Sequence, residues 1–86
     1  MVGRIVFSRA GRDKGHIMTV VATDGDYLYL CDGKERPLER PKRKNAKHTA
    51  LTGTVLDKGS YSTNKALRRE LARLRAEGLK GRNQDV

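Results

Sequence analysis

The chain has no tryptophan, one phenylalanine, one cysteine and two prolines among its 86 residues, and aromatic residues make up only 5% of it. With Cys31 alone, neither an internal disulfide nor a thiolate metal cage can form within one copy. Cys31 follows Leu30 with no activating partner nearby in sequence, so it reads as a small buried hydrophobe in a strand. The two histidines, His16 and His48, have no cysteine or paired carboxylates at ligand spacing, so no metal is expected, and His48 reads as a surface polar contact. No Ser-His-Asp, Cys-His or two-carboxylate arrangement is present, and neither glycine turn has the P-loop form. No enzymatic activity, cofactor or small-molecule substrate is therefore expected. No apolar run approaches the roughly 20 residues that span a bilayer, and the N-terminus lacks the basic-then-apolar pattern of a secretory signal. The expectation is a small cytoplasmic monomer.

What the chain has in excess is positive charge. Its formal charge is +9 on 9.6 kDa, with an isoelectric point near 10.2. A partner of dense negative charge is the first expectation, because neutralising phosphates releases condensed counterions and drives association. The charge is unevenly placed. Residues 1–33 carry four Lys/Arg and four Asp/Glu, whereas residues 34–48 carry seven and two. Residues 49–64 are again neutral, and residues 65–86 carry seven basic and three acidic residues. Two basic blocks favour a directed binding surface, beside the plainer reading of any charge run as a solvated face.

The pattern of apolar residues predicts a mainly β fold with a C-terminal helix. Arg4 to Phe7 and His16 to Thr23 are rich in β-branched residues and read as strands, the second with apolar residues on both parities. Asp24-Gly25-Asp26 signals a hairpin, and Tyr27 to Cys31 returns with Tyr27, Tyr29 and Cys31 on one face and Leu28 and Leu30 on the other. Arg36 to Glu39 is expected as a short edge strand, since Pro37 cannot donate to a central ladder, and His48 to Leu51 as a last short strand. Short strands at such spacing suggest a small barrel that closes its own edges over residues 1–51. Residues 52–61 read as a connector and residues 62–79 as a basic amphipathic helix packed on the barrel. Ser62, Thr63 and Asn64 are all helix-capping residues, and Gly78 stands where the helix should end. Leu67, Leu71 and Leu74 form a narrow apolar stripe, with Lys65, Arg68, Arg69, Arg73 and Arg75 mainly opposite it. That stripe has neither tryptophan nor phenylalanine, which disfavours membrane attachment. Tyr61 is placed to pack near the helix start, and residues 80–86 read as a flexible tail.

Between the first two strands lies Ser8-Arg9-Ala10-Gly11-Arg12-Asp13-Lys14-Gly15-His16. Its glycines permit a tight turn at positive φ and its cations suit phosphate contact. Asp13 has two readings, bonding backbone N–H groups inside the turn or orienting Arg12 or Lys14. The stretch Gly3-Arg4-Ile5-Val6-Phe7-Ser8, then Ala10-Gly11-Arg12-Asp13-Lys14-Gly15, then the apolar run Ile17 to Val21, resembles the KOW family of RNA-binding modules. With the tyrosine-rich strand, the block from Asp32 to His48 and the helix from Ser62, the chain resembles the short KOW-domain RNA-binding proteins of low-GC Gram-positive bacteria. Those are similar to an archaeal and eukaryotic large-subunit ribosomal protein family. The resemblance implies an SH3-like β-barrel whose first turn faces RNA. It places the signature glycine at Gly11 and backbone contacts at Arg9, Arg12 and Lys14. His16 departs from the lysine or arginine common in the family at that position.

Together these readings give a non-catalytic RNA-binding protein, directed at ribosomal or ribosome-associated RNA. The candidate phosphate contacts are Arg9, Arg12 and Lys14 in the turn. Lys34, Arg36, Arg40, Lys42, Arg43, Lys44 and Lys47 follow in the central block, and Arg68 and Arg69 on the helix. Tyr27 and Tyr29 either stack on unpaired bases or cover one barrel face. The alternative is a protein-interaction module whose barrel binds an acidic partner in transcription or translation. Duplex DNA fits less well, because the basic helix face carries no base-reading Asn or Gln.

Overall fold

The computed structural model describes residues 1–79, so the expected tail, residues 80–86, lies outside the described residues. Five strands, β1 (Arg4–Ser8), β2 (Ile17–Asp24), β3 (Tyr27–Cys31), β4 (Lys42–Asn45) and β5 (Thr49–Val55), precede helix α1 (Asn64–Ala76). Short 3-10 turns at Ala46–His48 and Lys58–Tyr61 flank β5. The strands form one antiparallel sheet in the order β4-β3-β2-β1-β5, the arrangement of a small SH3-like barrel. The sheet is not closed, in contrast to the expectation from sequence: β4 and β5 are its two edges. Lys44 on β4 reaches across to the carbonyl of Ala10, just beyond β1, at 2.9 Å.

Two further boundaries differ from the expectation. Residues 36–39 form no strand, because their polar groups are committed elsewhere. Arg36 N–H donates to Asp32 Oδ1 at 2.9 Å and Leu38 N–H to Asn64 Oδ1 at 2.8 Å. The Pro37 carbonyl meanwhile accepts from Arg40 N–H at 2.9 Å. The edge strand falls instead within the basic block, at Lys42–Asn45. The last strand runs on to Val55, into the first four residues of the expected connector, across a break in register with β1. There Thr52 Oγ1 donates to the Ile5 carbonyl at 2.7 Å, and Arg4 donates to the Thr52 carbonyl at 2.9 Å.

The sheet buries both faces, as the double parity of β2 anticipates. One face sets Ile5, Phe7, Ile17 and Cys31 against Leu56 and the helix residues Leu67, Leu71 and Leu74. The other gathers Val6, Met18, Val20, Leu28 and Leu30. The helix begins where Thr63 Oγ1 accepts from Ala66 N–H at 3.0 Å. It ends where Leu79 N–H reaches back to the Leu74 carbonyl and Gly78 N–H to that of Arg75, with Gly78 at φ +102°. Tyr61 packs against the helix-side core. Asn64 ties the loop before β4 to the helix: its Oδ1 accepts from Leu38 and its Nδ2 donates to Glu39 Oε1 at 2.8 Å. Gly33 makes this docking possible. It is buried at φ +79°, and a Cβ there would lie 2.5 Å from the Asn64 carbonyl oxygen.

Candidate nucleic-acid interface

The turn from Arg9 to His16 is closed by its own backbone. Gly15 N–H donates to the Ser8 carbonyl at 2.8 Å, Lys14 N–H to Gly11 at 3.2 Å and His16 N–H to Asp13 at 2.9 Å. Gly11 and Gly15 take φ of +85° and +87°, a conformation costly for any residue with a Cβ. Arg9, Arg12, Lys14 and His16 are all exposed on this frame.

Asp13 follows neither of its sequence readings. Its Oδ1 accepts from the Ser8 hydroxyl at 2.8 Å and from Lys44 Nζ at 3.2 Å. Lys42 Nζ stands 3.2 Å from Oδ2, near enough for an ion pair although off hydrogen-bond alignment. Desolvation pushes the Asp13 carboxyl up, but the polar contacts with Ser8, Lys42 and Lys44 and the charge of Lys44 outweigh it and hold the pKa down at about 2. Lys44 also donates to Ser8 Oγ and to the Ala10 carbonyl, each at 2.9 Å, so all three of its donors are taken and its side chain is only 9% exposed. The turn and the basic block do meet, as the sequence reading required. They meet by turning Lys44 inward and pairing Lys42 with an acid, so neither stands as the free phosphate contact expected of it.

Five exposed cations, Arg12, Lys34, Arg36, Arg68 and Arg75, line two adjoining grooves. A groove of about 450 Å³ is lined by His16, Asp32, Lys34, Glu35, Arg68, Ala72 and Arg75. A second, of about 560 Å³, is lined by Arg12, Asp13, His16, Met18, Asp32, Glu35 and Arg36. They share His16, Asp32 and Glu35, so three chain segments distant in sequence form one continuous surface. The helix reaches it because Arg68, Ala72 and Arg75 recur at i, i+4, i+7, leaving a small side chain between two long ones. Arg68 also donates to the Gly33 carbonyl at 3.0 Å, fixing the loop against the helix. Asp32 Oδ1 organises that loop by accepting from Lys34 N–H and Arg36 N–H at 2.8 and 2.9 Å. His16 and Arg75 were not among the candidate contacts, although the spacing of Arg68 and Arg75 already put them on one helix face.

The remaining candidates lie apart from the grooves. Arg9, Lys14, Arg40, Lys47 and Arg69 are exposed and line neither. Arg73, on the helix, is paired with Glu70 and Glu77. The Arg43 guanidinium sits 3.8 Å from the centroid of the Tyr27 ring, so one face of that ring is covered. Tyr27 and Tyr29 are half-buried, and Tyr29 is paired with Arg43 across the strands. Cys31 is fully buried, and burial, aided by Asp32 and Glu39, pushes its thiol up to about 11, outside the reactive range. No helix among the described residues is long and apolar enough to cross a membrane. No family model matches the chain, and no curated protein matches it significantly.

Proposed function

We propose that this protein is a non-catalytic RNA-binding module, of the kind its KOW-like turn and strand pattern resembles, acting on ribosomal or ribosome-associated RNA. The observation that carries the reading is the pair of adjoining grooves, where Arg12 from the turn, Lys34 and Arg36 from the loop and Arg68 and Arg75 from the helix line one surface. Guanidinium groups on separate rigid elements suit the phosphates of a folded RNA, whose recognition depends on shape and backbone more than on a groove code. If these five cations each meet a phosphate, affinity for RNA should fall about a hundredfold between 50 and 200 mM salt. Filter binding of the whole chain to a structured RNA across that range tests it. A flat salt profile defeats the mechanism. Failure to bind bulk RNA, together with salt-sensitive capture of one acidic protein, would transfer the same surface to a protein partner.

A further inference from the structure

Glu35 is out of place in a surface built only for phosphates. It lines both grooves, within the divide that Arg12 and Arg36 approach from one side and Lys34, Arg68 and Arg75 from the other. A carboxylate there repels the sequence-independent part of the ligand. The other acids of the grooves are engaged: Asp13, in the second groove, meets Lys42 and Lys44, and Asp32 Oδ1 holds the loop amides. Among the described residues Glu35 is in no ion pair and accepts no side-chain hydrogen bond. Its place is nevertheless well defined, because the N–H groups of both its neighbours, Lys34 and Arg36, are held by Asp32.

The other residue common to both grooves, besides Asp32, is His16. Its backbone is fixed at both ends, with its N–H on the Asp13 carbonyl at 2.9 Å and its carbonyl accepting from Ser8 at 3.1 Å. An exposed imidazole is a surface on which an unstacked base can lie, and Tyr27, the aromatic first suggested for this by sequence, already has a face taken by Arg43.

We infer that His16 and Glu35 form a subsite for one unpaired guanine of the RNA, His16 stacking on the base and Glu35 reading its Watson–Crick edge. The inference rests on the RNA-binding reading above. A carboxylate only accepts hydrogen bonds, through two oxygens side by side. Guanine offers two adjacent donors, N1–H and N2–H, that match them. Adenine and cytosine bring one exocyclic amino group, and uracil a single N3–H flanked by two carbonyl oxygens that repel the acid. The flanking cations then hold the phosphates on either side of the base, so a negative side chain at the divide serves recognition without lying on the backbone's path.

The test uses the full chain and fluorescein-labelled single-stranded decamers of uridine with a single central guanosine, cytidine, adenosine or uridine, read by fluorescence anisotropy at low salt. The guanosine decamer should bind about fivefold or more tighter than the all-uridine one. In Glu35→Ala that preference should vanish while all-uridine affinity holds or rises, whereas Asp24→Asn, an equal charge change remote from the grooves, should keep it. His16→Ala should weaken all four decamers by a similar factor of at least about fivefold, and His16→Phe should restore them. Equal affinity of the wild type for all four decamers overturns the subsite but leaves the RNA reading standing, provided a structured RNA still binds with a salt slope. Absence of binding to every RNA overturns the RNA reading itself.

Discussion

Replacing Asp13 by Asn should remove a defined, acid-sensitive part of the stability. In the folded chain the Asp13 carboxyl is lowered from 3.8 to about 2, and at 1.36 kcal/mol per unit this difference is worth about 2 kcal/mol. Solvent screening takes little of it, since the Asp13 side chain is 14% exposed and that of Lys44 is 9% exposed. A group with a depressed folded pKa stabilises fully above its unfolded value and loses that contribution as pH falls through the folded one. The Asp13 contribution should therefore be complete above about pH 5 and gone by about pH 1 to 2. Asp13→Asn should lower the unfolding free energy at pH 7 by about 2 kcal/mol, or the melting temperature by roughly 8 to 16 °C for a domain this small. It should also flatten the acid limb, so that wild type and variant converge near pH 2. Urea unfolding followed by circular dichroism, repeated from pH 7 to pH 2, measures both quantities. A variant as stable as wild type at pH 7, or a gap that does not narrow on acidification, would refute the assignment of Asp13 to the Lys42 and Lys44 cluster.

Three further outcomes are open to direct measurement. Arg12 and Arg36, both lining the second groove, changed together to Ala should weaken RNA binding and lessen the salt slope by about 1.4, at 0.7 per lost phosphate contact, with an unchanged far-ultraviolet spectrum. On the helix, Arg75→Ala should weaken binding several-fold, whereas Arg73→Ala, which removes a cation already paired with Glu70 and Glu77, should leave filter-binding affinity within about twofold. Leu71→Asp places a charge at a fully buried position under the helix and should cost at least about 3 kcal/mol, seen as a collapse of the melting temperature; unchanged melting would contradict helix docking.

Much of the fold was legible because its signals are local. The β-branched runs mark β1 and β2, the Asp24-Gly25-Asp26 hairpin and the alternation after it place β3, and Thr63 and Gly78 bound α1. Each is set by residues within a few positions of one another, where propensity, capping and alternation act. Arg36 to Glu39 misled because its proline suits an edge strand, while the donors of that segment are claimed by Asp32 and by Asn64, the latter 26 residues from Leu38. Closure misled for a similar reason: short, evenly spaced strands do not reveal whether the first and last strands of the order, β4 and β5, meet.

The candidate site divides along the same line. Sequence by itself determined the charge, the backbone freedom of the Arg9 to His16 turn and the sidedness of the helix, because these depend on composition and short-range spacing. Only the tertiary structure decided which cations are free. Lys44 lies 31 residues from Asp13 and Arg68 lies 35 from Gly33, and each of these pairs exists only because the sheet and helix bring the partners within hydrogen-bond reach. An ammonium group counts toward a binding surface only if no nearby acid has already taken it, and that depends on contacts between segments the chain holds far apart.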